Sequence, residues 1–172
     1  MAKTIITSLV IILSIGVIIG LSSLTMTSPW FPIGASAAFA AITGTVLADK
    51  WEWLTKTNRF ILNYLCHLAA VTILMAAAFY IINYAFADKE SIHTVKATVE
   101  RRYSETRHKT RRLRRNVYVN GEPYKVYYME LRFENGMKKS RSISLAKFNR
   151  IRKGDTINVK IAQGAFHIPV IK

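Results

Sequence analysis

Eight Lys or Arg crowd the run from Arg101 to Arg115, RRYSETRHKTRRLRR, with Glu105 as its single acid. Guanidinium groups fork onto phosphate or carboxylate oxygens, so the chemistry this run offers is anion binding. The candidate set is Arg101, Arg102, Arg107, Lys109, Arg111, Arg112, Arg114 and Arg115. Tyr103, Tyr118, Tyr124, Tyr127 and Tyr128 lie close enough in sequence to stack a base beside those cations. The competing reading is a solvated hairpin whose charge keeps its edges from aggregating.

A second candidate is the pair Asn63 and His67. They stand four apart, hence on one face of a helix, inside a stretch without charge, with Cys66 one position off and Asn83 near the far end. Ionisable residues inside a membrane are functional hypotheses by default, here a proton or metal position. No Asp, Glu, Lys or Arg accompanies His67 in an apolar stretch, so a relay would have one imidazole to work with. Interhelical hydrogen bonding is the preferred reading, and a transporter or channel is disfavoured.

Catalytic constellations are not evident. After Glu90 the acids are Glu100, Glu105, Glu122, Glu130, Glu134 and Asp155, joined by His93, His108 and His167 and by no cysteine. The sequence holds no Walker-type loop, no HExxH, no CxxC pair and no GxSxG. A non-enzyme without metal or cofactor is expected. A membrane enzyme acting through His67 or His108 is the least favoured alternative.

The elements that must hold these residues follow from charge. None occurs from Thr4 to Ala48 or from Phe60 to Ala87. A bilayer core of about 30 Å needs about 20 apolar residues per helix, so the first stretch accommodates two spans and the second one. Pro29 and Pro32 break the first stretch and Trp30 suits the interface, which places spans at about 4–24, 31–48 and 60–86. The connection DKWEWLTKTNR, with two tryptophans and five charges, reads as an interfacial loop. The first run is too long for a signal peptide and a second apolar stretch follows it, so it reads as a retained helix. Gly16, Gly20, Gly34, Ala38 and Gly44 are the small residues expected to let helices approach, within the chain in preference to a face for a second copy.

From Ser91 to Lys172 the chain has 20 Lys and Arg against 6 Asp and Glu, so nearly all of the net charge of +15 lies there. Alternation at Val95, Ala97, Val99, at Tyr127, Met129, Leu131, Phe133 and at Ile157, Val159, Ile161 predicts strands. Asn120-Gly121 and Asn135-Gly136 read as hairpin turns, and Leu145 to Lys153 as a short helix. The expected fold is three transmembrane helices (1–88) followed by an all-β small antiparallel sheet or barrel (91–172).

The pattern Ile151-Arg-Lys-Gly154-Asp155, then Ile157-Asn-Val159-Lys-Ile161 and Gly164, with Asn135-Gly136 upstream, resembles small β-domains attached to membrane helices in uncharacterised bacterial proteins. That resemblance implies a membrane-anchored β-module without established catalysis and assigns no site residues. The function expected is a non-enzymatic, multi-pass protein of the inner membrane whose basic domain binds an anionic partner, lipid headgroups or an envelope protein. The alternative is a membrane effector or immunity protein whose β-domain senses a nucleotide or toxin. Membrane lipids are the first partner expected, a protein partner or second copy the next, and specific nucleic acid is disfavoured. Counting cations near the span ends leaves orientation almost tied, with a lean to a cytoplasmic domain.

Overall fold

The computed structural model describes residues 2–114 and 117–172. Three long helices, α1 (Ala2–Ser22), α2 (Trp30–Leu47) and α4 (Phe60–Ala85), are long and apolar enough to cross a membrane. A 3-10 turn (Ala48–Trp51) and the one-turn helix α3 (Glu52–Thr55) connect α2 to α4. Five strands follow, β1 (His93–Arg114), β2 (Val117–Phe133), β3 (Lys138–Ile143), β4 (Thr156–Gln163) and β5 (Pro169–Ile171), with helix α5 (Leu145–Arg150) between β3 and β4. They form one sheet in the order β3-β2-β1-β4-β5, antiparallel in its β1–β2, β2–β3 and β4–β5 pairs, and open rather than closed into a barrel.

The chain divides into two compact units, residues 1–93 with 161–172, and residues 94–160. In the first unit α4 packs against both α1 and α2. Pro32, Ser36, Ala40 and Gly44 are the buried residues of α2, one every four positions, and they form its inward stripe. In lipid there is no hydrophobic drive to pair helices, so association rests on such close approach and on hydrogen bonds. The last twelve residues belong to this unit for a visible reason. Met26 N–H donates to Pro169 O at 2.8 Å and Ile171 N–H to Leu24 O at 2.7 Å, so β5 lies between β4 and the segment leaving α1. Ala162 and Val170 close over Ala87, with Tyr84 beside them.

The second unit buries Ala97, Val99, Met129, Leu131, Phe133, Ile151 and Val159. Asn135-Gly136 turns β2 into β3: Gly136 has φ +77° and donates to Phe133 O at 2.9 Å. Asn120-Gly121 does not turn. The strand β2 runs straight through it, and the register slips where His108 faces Pro123 but Thr110 faces Asn120. Gly121 serves that bulge, because a Cβ there would stand 2.8 Å from Lys109 O. The α5 helix starts at Ser144, whose hydroxyl accepts from Lys147 N–H at 3.3 Å.

Candidate anion-binding surface

The strand β3 pairs with β2 only from Tyr127 to Arg132, whereas β1 pairs with β2 from Ala97 to Arg114. Among the described residues, β2 ahead of Tyr127 therefore has β1 as its one neighbour, giving a two-stranded ribbon of about ten residues per strand. At about 3.3 Å per residue this is about 33 Å long.

The candidate cations separate into two groups along β1. Those near the sheet are held by the fold. Arg101 Nε lies 3.2 Å from Glu130 Oε2, with its guanidinium over the Tyr103 ring. Arg102 donates to Phe148 O at 2.7 Å and Ile151 O at 2.9 Å, closing the open carbonyls at the end of α5, and covers the Phe148 ring. Arg107 donates to Tyr128 Oη at 2.6 Å and pairs with Glu105 at 3.2 Å. Farther out, Lys109 and Arg111 are exposed and carry no ion pair among the described residues. Lys125, facing Thr106 from β2, is in the same condition and was not singled out by the sequence, because it lies outside the dense run. Arg115 lies outside the described residues, as do the side chains of Arg112, Arg114 and Tyr118.

Three of the five candidate tyrosines are also committed. Tyr103 and Tyr128 stack on each other at 5.2 Å, and Tyr127 lies 4.8 Å from Phe148. A base at those three rings would have to displace these contacts, whereas Tyr124, opposite Arg107 and 43% exposed, makes no ring contact among the described residues.

At the foot of the ribbon, Glu100 Oε1 accepts from Lys138 at 2.6 Å and Arg132 at 2.7 Å. The Lys138 contact holds the Glu100 carboxyl below its ordinary range, partial burial opposes this, and Arg132 adds to the depression. Lys139 is buried opposite Leu131, and burial pushes its ammonium down.

Asn63 and His67 are both buried in α4, and their partners lie in the connection from α2 or close to it. Trp51 Nε1 donates to His67 Nδ1 at 2.9 Å and Thr43 Oγ1 lies 3.0 Å from Nε2. An indole N–H can only donate, so Nδ1 accepts, Nε2 carries the proton and donates to Thr43, and the Thr43 hydroxyl passes on to Phe39 O at 2.9 Å. Asn63 accepts from the Thr55 hydroxyl and donates to Thr57 O at 3.1 Å. The pair thus staples the 3-10 turn and α3 to α4, with both imidazole nitrogens in use. Gly44 is where α2 meets this site, while an added Cβ at Gly16, Gly20 or Gly34 meets nothing within 4 Å, and Ala38 is exposed.

No group of three or more His, Cys, Asp or Glu is placed to hold a metal among the described residues. No known protein family, curated protein or solved structure matches the chain.

Proposed function

We propose that this multi-pass membrane protein is a non-enzymatic module of the bacterial inner membrane, and that its basic β-unit binds the phosphates of anionic lipid headgroups through the outer half of the β1–β2 ribbon. The observation that supports it most is the division among the cations: Arg101, Arg102 and Arg107 are used within the fold, whereas Lys109, Arg111 and Lys125 stand exposed without an ion pair. The β-unit joins the helical unit covalently at 93/94 and 160/161, so the phosphate it meets at highest effective concentration is that of the membrane. A cytoplasmic position fits this reading, because the anionic inner leaflet attracts cations by about 1 kcal/mol per Lys or Arg near the surface.

Full-length protein in neutral-lipid nanodiscs, fixed to a surface, tests the proposal by capture of vesicles. Vesicles rich in phosphatidylglycerol should be retained and phosphatidylcholine vesicles should not, with retention falling as salt rises. The triple change Lys109→Ser, Arg111→Ser, Lys125→Ser should weaken capture and flatten its salt dependence. Equal capture of both vesicle types, or capture indifferent to the triple change, would overturn the reading.

A further inference from the structure

Near Gly44, α2 and α4 touch so closely that an added Cβ would stand 2.9 Å from the Tyr64 ring and 3.1 Å from His67. Toward the start of α2 a groove of about 330 Å³ opens, lined by Ala35, Ser36 and Phe39 of α2 and by Met75 and Ala78 of α4. Phe166, from the C-terminal turn, stacks on Phe79 at 5.0 Å and 6° and forms the end wall.

One hydroxyl in this groove is unsatisfied. Ser22, Ser23, Thr25, Thr43 and Thr45 all turn their hydroxyls back onto a carbonyl three or four residues earlier. Ser36, 7% exposed and lining the groove, makes no such bond and has no other partner among the described residues; Thr72 and Tyr80 of α4 are likewise unpaired but do not line the groove. An unpaired hydroxyl in an apolar medium costs free energy, so a partner within reach is favoured. Ser36 lies six residues past Trp30, or about 9 Å along a helix rising 1.5 Å per residue. Trp30 is 77% exposed and of the type that sits at headgroup level. The headgroup zone is about 5 to 7 Å thick on each side, so with Trp30 in its outer part Ser36 lies just inside the hydrocarbon layer, and because helical side chains lean toward the helix N-terminus its hydroxyl points back toward the glycerol ester carbonyls.

We propose that this groove binds one acyl chain of a glycerolipid, whose ester carbonyl accepts a hydrogen bond from Ser36 Oγ and whose chain runs past Ala78 toward Met75. The walls belong to membrane-spanning helices, so bilayer components are what reaches them. An apolar side chain of a second copy could fill the same volume but would leave Ser36 unpaired, and the hydroxyl decides for the lipid.

The test uses the full chain in nanodiscs doped with a glycerolipid carrying a diazirine on one acyl chain, in ester-linked and ether-linked forms, with adducts mapped by peptide mass spectrometry. Ester-lipid adducts should concentrate on Phe39, Met75 and Phe79 at several times the density found on the exposed α1 positions Ile5, Leu9 and Ile12. Ala78→Leu, which fills the groove, should bring them down to the α1 level, and Phe166→Ala should lower them by removing the end wall. Ser36→Ala should reduce ester-lipid labelling about three- to tenfold and leave the ether lipid unchanged. Groove labelling no denser than on α1, or equal labelling by the two lipids in the unaltered protein, would overturn the proposal. Crosslinks between copies in place of lipid adducts would do the same and assign the groove to a second chain.

Discussion

The Asn83 side chain occupies the space that a Cβ at Gly164 would need: such an atom would stand 2.5 Å from Asn83 Nδ2 and 2.5 Å from Ile168 O. The absent side chain lets Asn83 Nδ2 donate to Ile168 O at 3.0 Å while its Oδ1 accepts from Phe166 N–H at 3.1 Å. A polar residue at the end of a membrane helix is thereby satisfied by the backbone of the C-terminal turn.

Gly164→Ala and Asn83→Ala should therefore release the same segment. Each is expected to cost about 1–3 kcal/mol, through overpacking in the first case and unpaired amides in the second. Hydrogen exchange should show faster exchange at Phe166 and Ile171 in both variants. Because they break one contact, the double variant should lose less than the sum. Strict additivity would mean that the two residues act separately.

The relay from Trp51 through His67 to Thr43 predicts a graded series. His67→Ala leaves the half-buried Trp51 indole N–H without its acceptor and should lower stability by about 1 kcal/mol or more. His67→Gln, which offers one acceptor and one donor, should recover part of that loss. Thermal unfolding in detergent, followed by Trp fluorescence, reads both. Equal loss in the two variants would show that packing of the ring matters more than its hydrogen bonds.

The membrane part of the fold was legible because charge leaves no ambiguity over stretches as long as Thr4 to Ala48. Strand pairing was legible where local chemistry decided it, as at Gly136, whose φ of +77° suits the Asn-Gly turn. The same dipeptide misled at Asn120-Gly121, where the glycine admits Lys109 O across a bulge and the strand continues. Nothing local distinguishes the two uses of glycine. The docking of the C-terminal turn joins Asn83 to Ile168, 85 residues apart, and no periodicity records such a contact. At the candidate site the run of cations was evident, but not which of them the fold would consume. Arg102 looks like its neighbours until α5 places two carbonyls beside it.

Glu100 gives the pH prediction. Its folded pKa lies below the ordinary carboxylate range, so its contribution is complete above that range and is lost as pH falls through it toward the folded value. Melting temperatures of the unaltered chain and Glu100→Gln should differ at pH 7 and converge on acidification. The side chains of Arg132 and Lys138 are 53% and 46% exposed, so high salt should narrow the gap at pH 7 as well. A gap that persists into acid would assign the effect to packing.

Glycine substitutions separate contacts within the chain from contacts between chains. At Gly44 a Cβ would press on Tyr64 and His67, so Gly44→Ala should destabilise by about 1–3 kcal/mol and disturb the His67 relay. At Gly16 and Gly20 an added Cβ meets nothing within 4 Å, and in a helix alanine is favoured over glycine by up to about 1 kcal/mol. In a monomer those two changes should be neutral or stabilising. If the Gly16–Gly20 face instead packs against a second copy, bulk there prevents the close approach of backbones on which such a pair depends. The double change Gly16→Leu, Gly20→Leu should then convert dimer to monomer in light scattering of the detergent complex. An unchanged molar mass alongside unchanged stability would place that face in lipid and leave Gly44 as the glycine at which these helices meet.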